Sequence, residues 1–131
     1  MNGKKILIID DDAFIRRPLE FILREEGFAP VTAVDGEEGL AKLEGEKPDL
    51  IVLDLMMPGL DGFEVCRRVR ADPRFSSIPV ILLTAKGQEN DCERGRAAGA
   101  TDFMSKPYSP SELLRRVREI LSEGEPGGAR T

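Results

Sequence analysis

Hydrophobic and polar positions in this chain follow two alternating rhythms. Nearly continuous apolar runs, "KILIID" at 5–10, "LIVL" at 50–53 and "VILLT" at 80–84, are separated by longer stretches whose apolar residues recur every three or four positions. Runs of that kind suit parallel strands covered on both faces, and the periodic stretches suit amphipathic helices. Two weaker and more polar segments, at 29–32 and 102–105, complete five strands and suit the edges of a sheet. Strands alternating with helices predict a doubly wound α/β fold with helices on both faces of a parallel sheet.

The helix ends carry readable signals. Asp12 is placed to cap the first helix, which starts near Ala13. Asp35 and Asp61 each precede a Glu by three residues (Glu38 and Glu64), the spacing of a capping box. Ser109-Pro110-Ser111-Glu112 is a fuller version with Pro at the first helical position. Gly27 and Gly99 stand where C-terminal caps belong. The last helix, at about 110–121, puts Leu113, Leu114, Val117, Ile120 and Leu121 on one face. Pro18 is a local misfit, since an interior helical Pro costs about 3 kcal/mol; a kink or a later helix start would reduce that cost. The segment "EGEPGGART" lacks periodicity and is rich in Gly and Pro, so residues 1–121 are expected to form one domain and 122–131 a flexible tail or linker.

Composition narrows the function. The 131 residues suit one core, and 40% hydrophobic with 33% charged residues suits a globular protein. A net charge of −5 argues against direct nucleic-acid binding, and the "RRVR" runs at 67–70 and 115–118 read first as solvated helix faces. No apolar run approaches the about 20 residues that span a bilayer, and "MNGKKILIIDDD" has no cleavage-site pattern. A cytoplasmic protein without membrane contact is expected. Cys66 and Cys92 form no C-x-x-C pair and are read as reduced, with Cys66 in the core. Histidine is absent, which removes imidazole triads, imidazole zinc sites and histidine acid–base catalysis.

In a doubly wound fold, ligands bind beyond the carboxyl ends of the strands. The first strand ends in Asp10-Asp11-Asp12, the third in Asp54, the fourth in Thr84, and the fifth runs into Lys106-Pro107. Clustered carboxylates repel unless some protonate or a cation intervenes. Oxygen ligands without imidazole or thiolate favour a hard ion, and few carboxylates plus water suit Mg²⁺. With Lys106 as a second positive charge, such a site attracts a phosphoryl group. Phosphoryl transfer needs positioning and charge neutralisation, and a carboxylate can be the nucleophile. Asp54, alone at the end of a central strand, is the candidate.

"ILIIDDD", "DLIVLDLMMPGLDGFEV", "IPVILLTAK" and "GATDFMSKPY" together resemble the receiver domains of two-component response regulators, over about residues 4–121. The resemblance implies a CheY-like, flavodoxin-like sheet of strand order 2-1-3-4-5. It implies that Asp54 takes a phosphoryl group from a phosphohistidine on a histidine kinase or histidine phosphotransfer protein, a self-directed reaction rather than metabolic catalysis. Asp10, Asp11, Asp54 and the backbone carbonyl of Met56 would hold Mg²⁺, and Thr84 and Lys106 would contact the phosphoryl oxygens. Phe103 occupies the switch-aromatic position. Its inward rotation as Thr84 moves would bias the surface of the fourth helix, fifth strand and fifth helix towards an unknown downstream target or output domain.

Each residue also has a plainer reading. Singly, Asp54 is a polar strand terminus, the three Asp a solvated turn, Thr84 a strand residue, Lys106 an exposed lysine and Phe103 edge packing. Met56 and Met57 read as gap fillers in the packing, although Met56 and Lys86 would also flank the path of water attacking a phosphorylated Asp54. The alternatives left open are a pseudo-receiver that binds partners without phosphorylation, a haloacid-dehalogenase-like phosphatase with Asp10 as nucleophile, and a plain Mg²⁺-binding structural domain. The last would not explain Lys106.

Overall fold

The structure, a computed structural model, describes residues 3–85 and 90–123. Its elements are β1 (Lys5–Ile9), α1 (Ala13–Glu25), β2 (Ala29–Ala33), α2 (Gly36–Glu46), β3 (Leu50–Asp54), α3 (Gly62–Ala71), β4 (Val80–Ala85), α4 (Asn90–Ala98), β5 (Asp102–Lys106) and α5 (Pro110–Glu123). All strand pairs are parallel and the sheet order is β2-β1-β3-β4-β5. The two polar strands lie at the edges, as their composition requires.

Side chains alternate across the sheet and divide the core in two. Leu7, Ile9, Ile51, Leu53 and Leu82 face a cluster completed by Leu43 of α2, by Phe63, Val65, Cys66 and Val69 of α3, and by Ala98 of α4. Ile6, Ile8, Leu50, Val52, Ile81 and Leu83 face Leu19 and Leu23 of α1 and Leu113, Leu114, Val117 and Leu121 of α5. Burying both faces is what makes β1, β3 and β4 read as unbroken apolar runs. Among the described residues no helix is long and apolar enough to cross a membrane.

The caps form where expected. Asp12, Asp35 and Asp61 accept from the backbone N–H of Phe14, Glu38 and Glu64, and Ser109 Oγ accepts from Glu112 N at 3.1 Å. Gly27 and Gly99 both take positive φ.

Three expectations need correction. Helix α1 starts at Ala13 and runs on through Pro18, so no later start absorbs the misfit. Phe14, Arg17 and Pro18 are exposed, so the Phe14 carbonyl that Pro18 leaves without a donor lies on the wet side of the helix. Met57 is buried, but Met56 is 67% exposed and fills no gap in the core. Helix α5 extends two residues past Leu121; residues 124–131 of the expected tail, and Lys86, lie outside the described residues.

Candidate functional site

The carboxyl ends of β1, β3, β4 and β5 meet at one edge of the sheet. Asp10 follows β1 and is fully buried. Its backbone N–H donates to Ala33 O at 3.1 Å and its carbonyl accepts from Arg16 Nη1 at 2.9 Å. Its Oδ1 accepts from Asp12 N at 2.9 Å. The cap of α1 and the turn behind it therefore aim the Asp10 carboxylate. Its other oxygen, Oδ2, is buried and has no hydrogen bond, although Lys106 Nζ lies 3.1 Å away without hydrogen-bond alignment.

Asp54 ends β3, opposite Leu83 in register, and is only 5% exposed. Leu55 N donates to Leu83 O and Gly62 N donates to Leu55 O, both at 2.9 Å, so the chain after Asp54 is pinned at both ends of its turn. Gly62 is needed there: a Cβ would lie 2.7 Å from Leu55 Cα and 2.8 Å from Asp54 O. Met56 N reaches Asp54 Oδ1 at 3.4 Å, and Lys106 Nζ reaches the same oxygen at 3.2 Å.

One ammonium is thus shared by two buried carboxylates, and the two acids repel. Loss of hydration, then the charge of Asp10, push the Asp54 pKa up to about 6 from an ordinary 3.8, against the pull of Lys106. Burial works against the Lys106 ammonium too, but the close approach of the Asp10 and Asp54 carboxylates outweighs it, and its pKa lies above the ordinary value. Lys106 gains from the arrangement while Asp54 loses, as one cation between two anions requires.

Asp11 is exposed, and one oxygen each from Asp10, Asp11 and Asp54 lie within 4.8 Å of one another. Three carboxylates against one lysine leave an excess of negative charge. With a buried Asp10 oxygen lacking a hydrogen bond, this all-oxygen set fits a hard divalent cation. Asp11, Asp54, Met56, Lys106 and Pro107 border an open cavity of about 670 Å³. Thr84 is buried at the end of β4, one residue beyond the register partner of Asp54.

The chain's sequence matches the model of the response regulator receiver domain over residues 6–118. The chain belongs to this family. This receiver domain is 48% identical over 123 residues to the alkaline phosphatase synthesis transcriptional regulatory protein PhoP of Bacillus subtilis, covering 94% of this chain and 50% of that protein. The chain spans about half the length of the curated relatives it matches. A putative response regulator from Chloroflexus aurantiacus superposes with a TM-score of 0.87 at 38% identity, over 92% of this chain and 98% of that one. The receiver domain of the sensor histidine kinase PA1611 from Pseudomonas aeruginosa, solved with a magnesium ion in its active-site cleft, gives a TM-score of 0.82 at 30% identity, over 91% and 98% of the two chains. A receiver domain is the phosphorylation switch of a two-component system, a signalling module rather than a metabolic enzyme.

The structure brings Asp10, Asp11, Asp54 and Lys106 together and sets Met56 and Thr84 beside them. Phe103 stands apart, packed against the core cluster that Ala98 of α4 helps to form. Asp10 is too enclosed to be the nucleophile of a phosphatase, and Asp54 is the buried acid that borders the cavity. Two contributors went unread in the sequence. Arg16, in an apparently solvated helix turn, anchors the Asp10 backbone. Tyr108 is half-buried, and burial followed by the charges of Asp10 and Asp54 raises its phenol to about 12. Its only sequence signal is its place two residues after Lys106.

Proposed function

We propose that Asp54 accepts a phosphoryl group from a phosphohistidine on a histidine kinase or phosphotransfer partner, and that the acyl phosphate switches the α4-β5-α5 surface. The observation that carries this reading is Asp54 itself: a nearly buried carboxylate that borders an open cavity with Lys106 Nζ 3.2 Å from Oδ1. Lys106 and Met56 N both engage Oδ1, so Oδ2 is assigned to the new bond. It attacks phosphorus, the P–N bond to imidazole breaks, and the leaving nitrogen recovers a proton from solvent.

Asp10, Asp11, Asp54 and the Met56 carbonyl would hold Mg²⁺, which when bound supplies charge neutralisation for the phosphoryl oxygens. Lys106 offers a second positive charge to those oxygens, and Thr84 offers a hydroxyl. A phosphoryl group at Asp54 adds acceptors that draw Thr84 inward, and Phe103, on the same face of the sheet, follows. A reduced, buried Cys66 is consistent with placement in the cytoplasm, where a kinase partner would meet the domain.

The test is incubation with phosphoramidate and Mg²⁺ followed by intact mass. The wild type gains one phosphoryl group and Asp54→Ala gains none; an equal gain in Asp54→Ala places the nucleophile elsewhere.

A further inference from the structure

Helix α4 has little of its own to hold it. Of its residues with described side-chain burial, only Gly95 and Ala98 are buried. Two arginines flanking Gly95 add contacts with aromatic rings. Arg94 lies 4.1 Å from the Phe63 ring of α3, and Arg96 lies 5.3 Å from the Phe103 ring of β5. Between them Gly95 lets the helix settle directly onto Phe103. A Cβ at Gly95 would collide with Phe103 Cε1, and would lie 3.1 Å from Cζ and 3.0 Å from Leu82 Cδ2.

The backbone beneath that ring is fixed. Phe103 pairs with Leu82 in register, its N–H donates to Asp102 Oδ1 at 2.8 Å, and its carbonyl accepts from Arg116 Nη1 at 3.1 Å. Arg116 is tied in turn to Asp102 at 2.7 Å. The ring can therefore turn about its own side-chain bonds while β5 stays in place. Any turn changes what fills the notch under Gly95 and what lies beneath Arg96.

We propose that Gly95 and Arg96 form the seat through which helix α4 senses Phe103, with Arg94 on Phe63 as a pivot that does not respond. This rests on the switch reading above and names the residues that pass the ring's position to the helix. Gly95 is a positioning residue: it touches neither phosphoryl group nor metal. A side chain at position 95 disfavours the seated ring and favours the arrangement in which Phe103 follows Thr84. A ligand at Asp54 that draws Thr84 inward then binds more tightly, since a ligand shifts an equilibrium by its differential affinity for the two states.

The experiment uses ring-labelled phenylalanine NMR with beryllofluoride and Mg²⁺ as the phosphoryl mimic. In the wild type, beryllofluoride moves the Phe103 ring signal. In Gly95→Ala without ligand, that signal is already displaced in the same direction, and beryllofluoride affinity rises about fivefold, the low end of allosteric couplings. Arg96→Ala, on the exposed side of the helix, moves both readouts the same way by about twofold, the weight of one exposed cation–π contact. Arg94→Ala leaves the Phe103 signal in place.

A folded Gly95→Ala with wild-type ring signal and affinity, or with weaker affinity, overturns the proposal. If Gly95→Ala does not fold, equal effects of Arg96→Ala and Arg94→Ala on Phe103 overturn it. A wild-type ring signal indifferent to beryllofluoride, with Gly95→Ala still displacing it, strikes the switch reading and leaves the seat standing.

Discussion

The two edges of this sheet treat polar groups in opposite ways. At the amino edge, charge is satisfied. Lys5 N donates to Asp49 Oδ2 at 2.7 Å and Lys5 Nζ pairs with Glu46 at 3.0 Å. Arg70 donates to Gly99 O at 2.8 Å, Ile78 O at 2.7 Å and Thr101 Oγ1 at 3.3 Å, and its stem fills the space beside Gly99. At the carboxyl edge, two buried carboxylates share one lysine and a buried oxygen has no hydrogen bond. Buried charge that is only partly compensated persists where surrounding structure holds it in place. The contrast teaches where function sits: the amino edge closes the fold, and the carboxyl edge holds an excess of negative charge that fits a cation, as the proposed site requires.

Removing Arg70 should give the largest effect on stability. Arg70→Ala leaves two carbonyls without their donor and should cost about 3 kcal/mol by chemical denaturation. Phosphorylation at Asp54 should persist in the folded fraction. A loss below about 0.5 kcal/mol, the level of an ordinary surface change, would erase the contrast.

At the other edge the sign should invert. With a pKa of about 6 in the folded protein and 3.8 as the ordinary value, Asp54 binds more protons folded than unfolded between those limits. Its contribution therefore favours folding at low pH and is lost as pH rises through about 6. Asp54→Asn should gain about 1–2 kcal/mol at pH 7 in chelator, less than the full shift implies because the open cavity beside Asp54 lets water screen its charge, and the gain should vanish near pH 4. An Asn variant less stable than wild type at pH 7 would mean that Lys106 fully compensates Asp54.

Mg²⁺ supplies a third, smaller handle. At about ten times its dissociation constant it should stabilise the wild type by about 1.4 kcal/mol, read as a raised Tm. Asp11→Asn should lose most of that gain, while Arg70→Ala should keep it. The smallest effect concerns the phosphate's lifetime. Met56, exposed beside Asp54, offers attacking water no hydrogen bond, and Met56→Asn should hasten decay about threefold, well under one tenfold step of 1.36 kcal/mol. Unchanged decay would remove Met56 from the path of water.

Much of this was legible in the residues. The unbroken apolar text of β1, β3 and β4 marks strands covered on both faces, and the Asp and Ser caps mark where helices start. Strand ends were harder, because the site residues themselves continue the ladder: Asp54 pairs with Leu83, and Lys106 with Ala85. Polarity suggested a stop where register carries on. The membership of the site followed from parallel topology, which brings strand ends together. Its charge balance did not, since one Nζ lying between two carboxylates depends on how β5 sits against β1 and β3. Met56 looked like core because Leu55 and Met57 beside it are buried. A turn that exposes one apolar residue among three carries no periodic mark. Gly95 lacked a signal for the same reason, being a small residue whose importance lies in Phe103, eight positions away and on another element.

The proposed function turns on one chemical, local point, that Asp54 is the phosphoacceptor. After reaction with phosphoramidate and Mg²⁺, reduction with borohydride converts an aspartyl phosphate to homoserine, which peptide mass spectrometry places in the sequence. Homoserine at position 54, absent when Mg²⁺ is chelated, is the predicted result. Homoserine at Asp10, Asp11 or Asp12 instead, or at no position in protein that has gained a phosphoryl group, would contradict it.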